Sequence, residues 1–325
     1  MTKYISDQNR TCFQYESGAY GTTSGNRVWI GLVQEHSLEP NMNVIQIRYQ
    51  GSTDRNVDDF ADGAQEWTGN FTYFPQDWRF LGFAIGSIQD LTGSHFATET
   101  NTDDRVLGPS ATGYPGPLYT FTIEDSKNTG TTGSNFIRTT IGGMVDSYEI
   151  TASQGEIVSC NVGYVAQTST LSSGAIVALT TTTTAPYMFN NFQLHIPSGT
   201  LLDNTTEVKF SVNNNLEPGM YLNGSRTLAE VLPMNRDYEL TATSIMDTAT
   251  AKTLYESYYV AGSKFNAMLK CWGAAGSLSL ILSGCKMTEM GTPSPLEGVQ
   301  EQSMTIIPGG VNMYAYDAIA KYNAW

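Results

Sequence analysis

The chain has 325 residues, enough for two domains of ordinary size, and 40% of them are hydrophobic. Its formal net charge of −14 excludes a conventional nucleic-acid binder, because such proteins hold phosphates with Lys and Arg. No apolar run reaches the ~18 residues of a transmembrane helix, and the first residues lack the apolar core of a secretory signal.

The first predicted strands lie at 27–33 and 43–49, where β-branched and aromatic residues are frequent. The second segment alternates apolar with polar side chains, as a half-buried strand does. Between them, Leu38-Glu39-Pro40 predicts a turn. Residues 51–66 predict a long acidic loop with five carboxylates and one arginine. A connection of that length in a compact domain is usually functional or disordered.

A strand at 67–73 and a short helix follow. Pro75 suits the first helical position, and Trp78, Leu81 and Ile85 have helical spacing, which predicts one apolar stripe against a sheet. Residues 88–134 predict an inserted loop that projects outward or binds a neighbouring subunit. Further strands are predicted at 119–123, 149–150 and 157–165.

Residues 166–186 contain five consecutive threonines and predict an extended crossover, in which 175–179 is a candidate strand. Beyond it, a second helix is predicted from Ala251, Leu254, Tyr255 and Tyr258, with Gly262 at its end. The last predicted strands are 265–272, 277–282 and 303–307.

The sequence also contains an internal repeat. The run Leu38-Glu39-Pro40 recurs as Leu216-Glu217-Pro218, and both predicted helices end at a Gly-Ser pair. We therefore predict two tandem domains, at 1–165 and 187–325, joined by the crossover at 166–186.

No catalytic motif is apparent, so we expect no enzyme, no cofactor and no metal. The histidines at 36, 95 and 195 lie outside any metal-binding pattern, and Asp58-Asp59 and Asp103-Asp104 lack calcium-loop spacing. The four cysteines stand in apolar, strand-like contexts without a C-x-x-C pair, which predicts buried thiols and demands no disulfide.

The order of elements resembles the tail tube proteins of tailed phages and archaeal tailed viruses. The segments that carry this resemblance are 44–49, 66–71 and 75–80 in the first half, and 208–218, 235–240, 252–256, 282–287 and 295–298 in the second. The resemblance covers nearly the whole chain as a diffuse pattern without one specific motif.

The resemblance implies a mainly β chain of two tube-like β-sandwich or barrel domains, each with one packed helix. It implies a virion protein, made in the host cytoplasm, whose rings stack into a tube that conducts viral DNA and contacts other tail proteins. Such rings are typically six-fold, so two domains per chain predict a trimer. The remaining alternatives are an injection tube without DNA cargo and a tandem β-sandwich that binds glycans or covers a capsid.

Candidate contacts between subunits, or candidate lumen residues, are the charged groups of the acidic loop and of its second-half counterpart. They are Asp54, Arg55, Asp58, Asp59, Asp62, Glu66, Arg226 and Glu230.

Overall fold

The structure is a computed structural model, and it describes residues 9–16, 20–22, 27–49, 57, 59–91, 104–108, 118–128, 135–176, 179, 183–197, 199–246, 248–273, 276–291 and 299–317. The chain is mainly β, as the sequence predicted. Its strands are β1 Arg10–Tyr15, β2 Val28–Trp29, β3 Leu32–Asn41, β4 Ile45–Ile47, β5 Asp59–Ala61, β6 Glu66–Phe74, β7 Ser87–Leu91, β8 Asp104–Gly108, β9 Phe121–Lys127, β10 Phe136–Ser153, β11 Ser159–Ala166, β12 Thr168–Ser172, β13 Phe192–His195, β14 Thr205–Asn213, β15 Leu216–Gly219, β16 Glu230–Pro233, β17 Asp237–Ile245, β18 Phe265–Gly273, β19 Gly276–Gly291, β20 Glu301–Ile307 and β21 Gly310–Asp317.

Eight antiparallel strands form the main sheet in the order β3-β6-β11-β10-β14-β17-β20-β19. Apolar and polar side chains alternate along these segments, which explains why they form strands with one buried face. In β14, for example, Val208, Phe210 and Val212 are buried, while the polar residues between them face outward. The pairing of β10 with β14 joins the two halves of the chain in one sheet.

Two long strands, β10 and β19, each take part in a second sheet. Gly142 in β10 has φ 70° and Gly284 in β19 has φ 61°, a left-handed conformation that glycine adopts without a steric penalty. Each strand changes partners near this glycine. On the N-terminal side, β10 pairs with β9 and β12, and β19 pairs with β18 and β21. Each of the two strands therefore runs from a smaller sheet into the main sheet.

One hydrophobic cluster contains buried residues from both halves of the chain. Its first-half part is aromatic: the rings of Phe13, Phe71, Phe83 and Phe121 surround Phe80 at centroid distances of 5.2 Å. Such edge-on and tilted contacts add to the free energy that burial itself provides.

The helices differ in part from the prediction. Helix α1 spans Leu81–Ile85 only, so Pro75 lies outside it, and all five helical residues are buried instead of one stripe. The second helix begins as α2 at Thr248–Thr253 and continues as a π-helix over Leu254–Val260. The wider π turn changes the spacing, which leaves Tyr255 45% exposed although Leu254 is buried. Glycines 86 and 262 follow the two helices, as predicted.

Other local predictions were wrong in whole or in part. Leu38-Glu39-Pro40 lies inside β3 and is no turn, and of 43–49 only β4 is a strand, with all three residues exposed. Within the insertion, β7 and β8 pair as a hairpin, and β8 pairs with β21 of the second half of the same chain. In the crossover the strand is β12; residues 175–176 are outside any strand, and 177–178 lie outside the described residues.

The two halves of the main sheet correspond strand by strand. The order β3-β6-β11-β10 is followed by β14-β17-β20-β19, and β-bulges occur at matching places: Val33/Glu35 with Thr205/Glu207, and Val145/Ser147 with Met287/Glu289. Equivalent residues are 172 positions apart in the first strands (Glu35 to Glu207) and 142 apart in the last (Ser147 to Glu289). The Leu-Glu-Pro runs are therefore not equivalent, because the first lies in β3 and the second in β15.

A matching turn follows β3 and β14. Asn43 and Asn215 both have positive φ, 43° and 46°. Their backbone N–H groups donate to the side-chain oxygens of Asn41 and Asn213, at 3.1 and 3.0 Å. Asparagine tolerates this conformation because its short side chain forms local hydrogen bonds.

Candidate assembly interface

The junction between the halves is a fully paired strand contact. Strand β10 pairs with β14 from Ser147 opposite Asn213 to Ser153 opposite Glu207. The N–H of Asn214 extends this pairing by donating to the carbonyl of Asp146 at 2.7 Å. Across the junction, Lys209 Nζ lies 2.8 Å from a carboxylate oxygen of Glu149.

The buried Asn214 side chain connects the junction to α1. Its amide donates to the carbonyls of Ala84 (3.0 Å) and Val145 (2.9 Å), and its oxygen accepts from Arg236 Nε at 2.7 Å. The Arg236 guanidinium also donates to the carbonyl of Ile85 at 2.5 Å. Arg236 and Asn214 thus satisfy one carbonyl each at the C-terminal end of α1, where the helix itself offers no donors.

The hairpin β15–β16 of the second half crosses the junction and covers part of the first half. Leu228 and Val231 are buried there with Leu118, Met144 and Val165. Arg226 fixes the hairpin beside the first half, since its guanidinium lies 2.9 Å from Asp62 and donates to the carbonyl of Gly63 at 2.8 Å.

The main sheet has an open edge at each end. Among the described strands, β3 pairs only with β6, and the segment of β19 from Lys286 to Gly291 pairs only with β20. Pro40 in β3 is consistent with an edge position, because proline has no N–H to donate. Unpaired edges of this kind are templates for pairing with another chain.

The outward face of the main sheet is acidic. Strand alternation places on it nine carboxylates and two lysines, counted over the described residues: Glu35, Glu39, Glu66, Glu149, Glu207, Asp237, Glu239, Glu289 and Glu301 with Lys209 and Lys286. The sequence prediction had selected only Glu66 from this set. The signal that identifies the others is the period of two in each strand, combined with the pairing register.

Apart from Glu66, the predicted site residues lie away from this face or outside the described residues. Asp54, Arg55 and Asp58 lie outside the described residues. Asp62 and Arg226 form the ion pair within one chain described above, with the Asp62 side chain 70% exposed. Asp59 is exposed in β5, and its side chain accepts from the N–H of Phe60 at 2.8 Å.

Glu230 contacts Tyr221 on the exposed side of the hairpin β15–β16. The Tyr221 hydroxyl donates to the Glu230 carboxylate, and this hydrogen bond raises the pKa of the tyrosine above its ordinary value. The contact is exposed and within one chain.

The cysteines are free and buried, as predicted. Burial raises the pKa of the Cys12 and Cys160 thiols to about 12. Thiols of this kind are not nucleophiles near neutral pH. In the described part of the chain there is no group of three or more His, Cys, Asp or Glu that could hold a metal ion. No helix among those residues is long and apolar enough to cross a membrane.

A mainly β chain with an unpaired strand at each end of its main sheet has the geometry of a subunit that can pair edge to edge with other copies. A family model of the phage tail tube protein matches residues 15–306. The chain therefore belongs to the phage tail tube protein family, a family of structural proteins of the virion tail, as the resemblance predicted. Among curated proteins, no match was found.

Proposed function

We propose that this chain polymerises into rings that stack into the tail tube, and that the tube conducts viral DNA during ejection into the host. The observation that carries the proposal is the pair of open edges, β3 and β19, at opposite ends of one eight-stranded sheet. Because the two edges are different surfaces, each copy offers both halves of a head-to-tail contact, which closes into a ring when the rotation per copy allows.

The acidic face supports a role in DNA passage. In a closed ring one face of the main sheet lines the channel, and the outward face carries nine carboxylates and two lysines among its described residues. A polyanion is repelled by such a surface, so DNA slides past without binding.

The correspondence between the halves supports a duplicated chain, with tube-like domains at 1–165 and 187–325 and the Thr-rich crossover at 166–186. Two equivalent four-stranded blocks per chain fit a six-fold ring of three chains. In this arrangement the contact between β10 and β14 within a chain alternates with an equivalent contact between chains.

Electron microscopy of the purified chain at high concentration tests the proposal. We expect rings or hollow tubes, and class averages with native mass spectrometry should give three chains per ring. Rings of six chains would refute the trimer. A chain that stays monomeric in solution and is absent from the tube of native virions would refute the tube.

A further inference from the structure

We propose that β19 of one copy pairs with β3 of the next in the register of the β10–β14 junction, so that Glu289 lies opposite Asn41 of the neighbouring copy, and that the hairpin β4–β5 of that neighbour then covers Ile307. The proposal rests on the ring assembly above. The partner at this contact is a second copy of this chain.

The register follows from the strand correspondence. Ser147 in β10 is equivalent to Glu289 in β19, because each is the residue directly after the β-bulge. Asn213 in β14 is equivalent to Asn41 in β3, because each pairs with an acidic residue at the start of the next strand. Since Ser147 lies opposite Asn213 within the chain, Glu289 lies opposite Asn41 between chains.

The same equivalence defines backbone hydrogen bonds. The bond from Asn214 N–H to Asp146 within the chain becomes one from Met42 N–H to the carbonyl of Thr288 in the neighbouring copy. Two residues along, Met290 N–H donates to the carbonyl of Pro40. Pro40 has no N–H to donate back to the carbonyl of Met290. This residue pair therefore has one backbone hydrogen bond, whereas the equivalent pair of β10 and β14 has two.

The hairpins provide the side-chain contacts. Within the chain, Val231 of β16 and Val165 of β11 are buried together, with 5% and 8% of their surface exposed. Their equivalents, Phe60 of β5 and Ile307 of β20, are 60% and 48% exposed. Val44, the equivalent of the half-buried Leu216, is 55% exposed. Large apolar side chains are thus exposed at the places that the internal junction covers.

Disulfide cross-linking tests the register. Residues opposite each other in antiparallel strands have Cα atoms about 4.5–5.5 Å apart, which suits a disulfide. The double variant Asn41→Cys/Glu289→Cys should therefore give a ladder of covalently linked chains on a non-reducing gel. The ladder should end at the trimer if three chains close the ring.

Two control variants accompany this experiment, one in register within the chain and one out of register between chains. Ser147→Cys/Asn213→Cys is the equivalent pair inside the chain, and it should lose its thiols without linking chains. Asn41→Cys/Lys286→Cys moves one cysteine by three residues, about 10 Å along the strand, and should give no ladder. The native cysteines are buried, so they contribute little background.

The outcomes separate this inference from the proposed function. The register is supported if Asn41→Cys/Glu289→Cys gives a ladder and neither control variant does. Rings or tubes in the same sample without a ladder would overturn the register and leave the tube intact. Absence of both rings and ladder, with the internal control linked, would overturn the register, and if the chain is also absent from the tube of native virions, the proposed function as well.

A second variant tests the hairpin contact. Phe60→Asp should raise the concentration needed for assembly at least tenfold, because a carboxylate would replace the ring that covers Ile307. Leu171→Asp is the matched control, since Leu171 is 61% exposed in β12, which pairs with β10 and with neither edge strand. Equal effects of the two variants would contradict the contact.

Discussion

Asn214 is the residue that connects α1, β10 and β14. Its side chain is 1% exposed and makes three hydrogen bonds, two to carbonyls and one from Arg236. Its neighbours in sequence, Asn213 and Asn215, are exposed and serve the turn that follows β14. Three consecutive asparagines thus have different roles, which depend on the side of the strand that each occupies.

Replacement of Asn214 by Ala should destabilise the chain by about 2–3 kcal/mol, because buried carbonyls and a guanidinium nitrogen lose their partner. Asn213→Ala is the matched control and should cost less than about 1 kcal/mol, since only a turn contact is lost. Urea unfolding measures both changes. Equal shifts of the two midpoints would contradict the role of Asn214.

The buried thiols give a second prediction at this scale. Because burial raises the Cys160 pKa to about 12, the thiol stays protonated at pH 8, whereas the thiol of an unfolded cysteine, with a pKa near its ordinary value of 9.0, is partly thiolate. Native protein should therefore react with Ellman's reagent at least a hundredfold more slowly than protein in denaturant. Rapid reaction of any native thiol would show that it is accessible.

At the scale of elements, strand alternation decides the charge of the main sheet. Buried positions such as Phe210 and Leu240 alternate with Lys209 and Glu239, so carboxylates distant in sequence share one face. Composition predicted an acidic chain but could not show which surface carries the carboxylates, because residues of loops and strands contribute to the same net charge.

Glu207→Lys/Glu239→Lys should convert the proposed channel surface into one that retains DNA. The change adds four positive units to a face whose described residues include two lysines, and binding should weaken as salt rises. Fluorescence anisotropy with duplex DNA at low salt measures it. Glu156→Lys/Glu256→Lys adds the same charge elsewhere, and equal DNA binding by both variants would argue against a special role for the face.

At the scale of the whole molecule, the halves share one core. The β10–β14 pairing is continuous, one hydrophobic cluster spans the junction, and the hairpin β15–β16 covers residues of the first half. The sequence boundary at 165/187 therefore lies within a connected structure.

We expect one cooperative thermal transition for the full chain, because neither half can unfold without exposing the junction. Calorimetry should give equal calorimetric and van't Hoff enthalpies. Two separated transitions would show that the halves are independent units. Asn214→Ala should lower the single transition temperature without splitting it.

The sequence by itself determined the β class, the family, the buried cysteines and several strands, including β6, β18 and β20. These properties follow from local patterns, since apolar alternation and glycine positions act over a few residues. The hairpins β4–β5 and β15–β16 were not predicted. The alternation at 43–49 indicated a half-buried strand, whereas β4 is exposed, and the partner strands β5 and β16 are only three and four residues long.

Only the tertiary structure decided which strands pair across the chain. β10 pairs with β14, and β8 pairs with β21, although these strands are far apart in sequence. The tertiary structure also leaves β3 and β19 with one open edge each. Backbone hydrogen bonds are the same for any two strands, so partner choice depends on the packing of the whole core and on where the chain bends, as at Gly142 and Gly284.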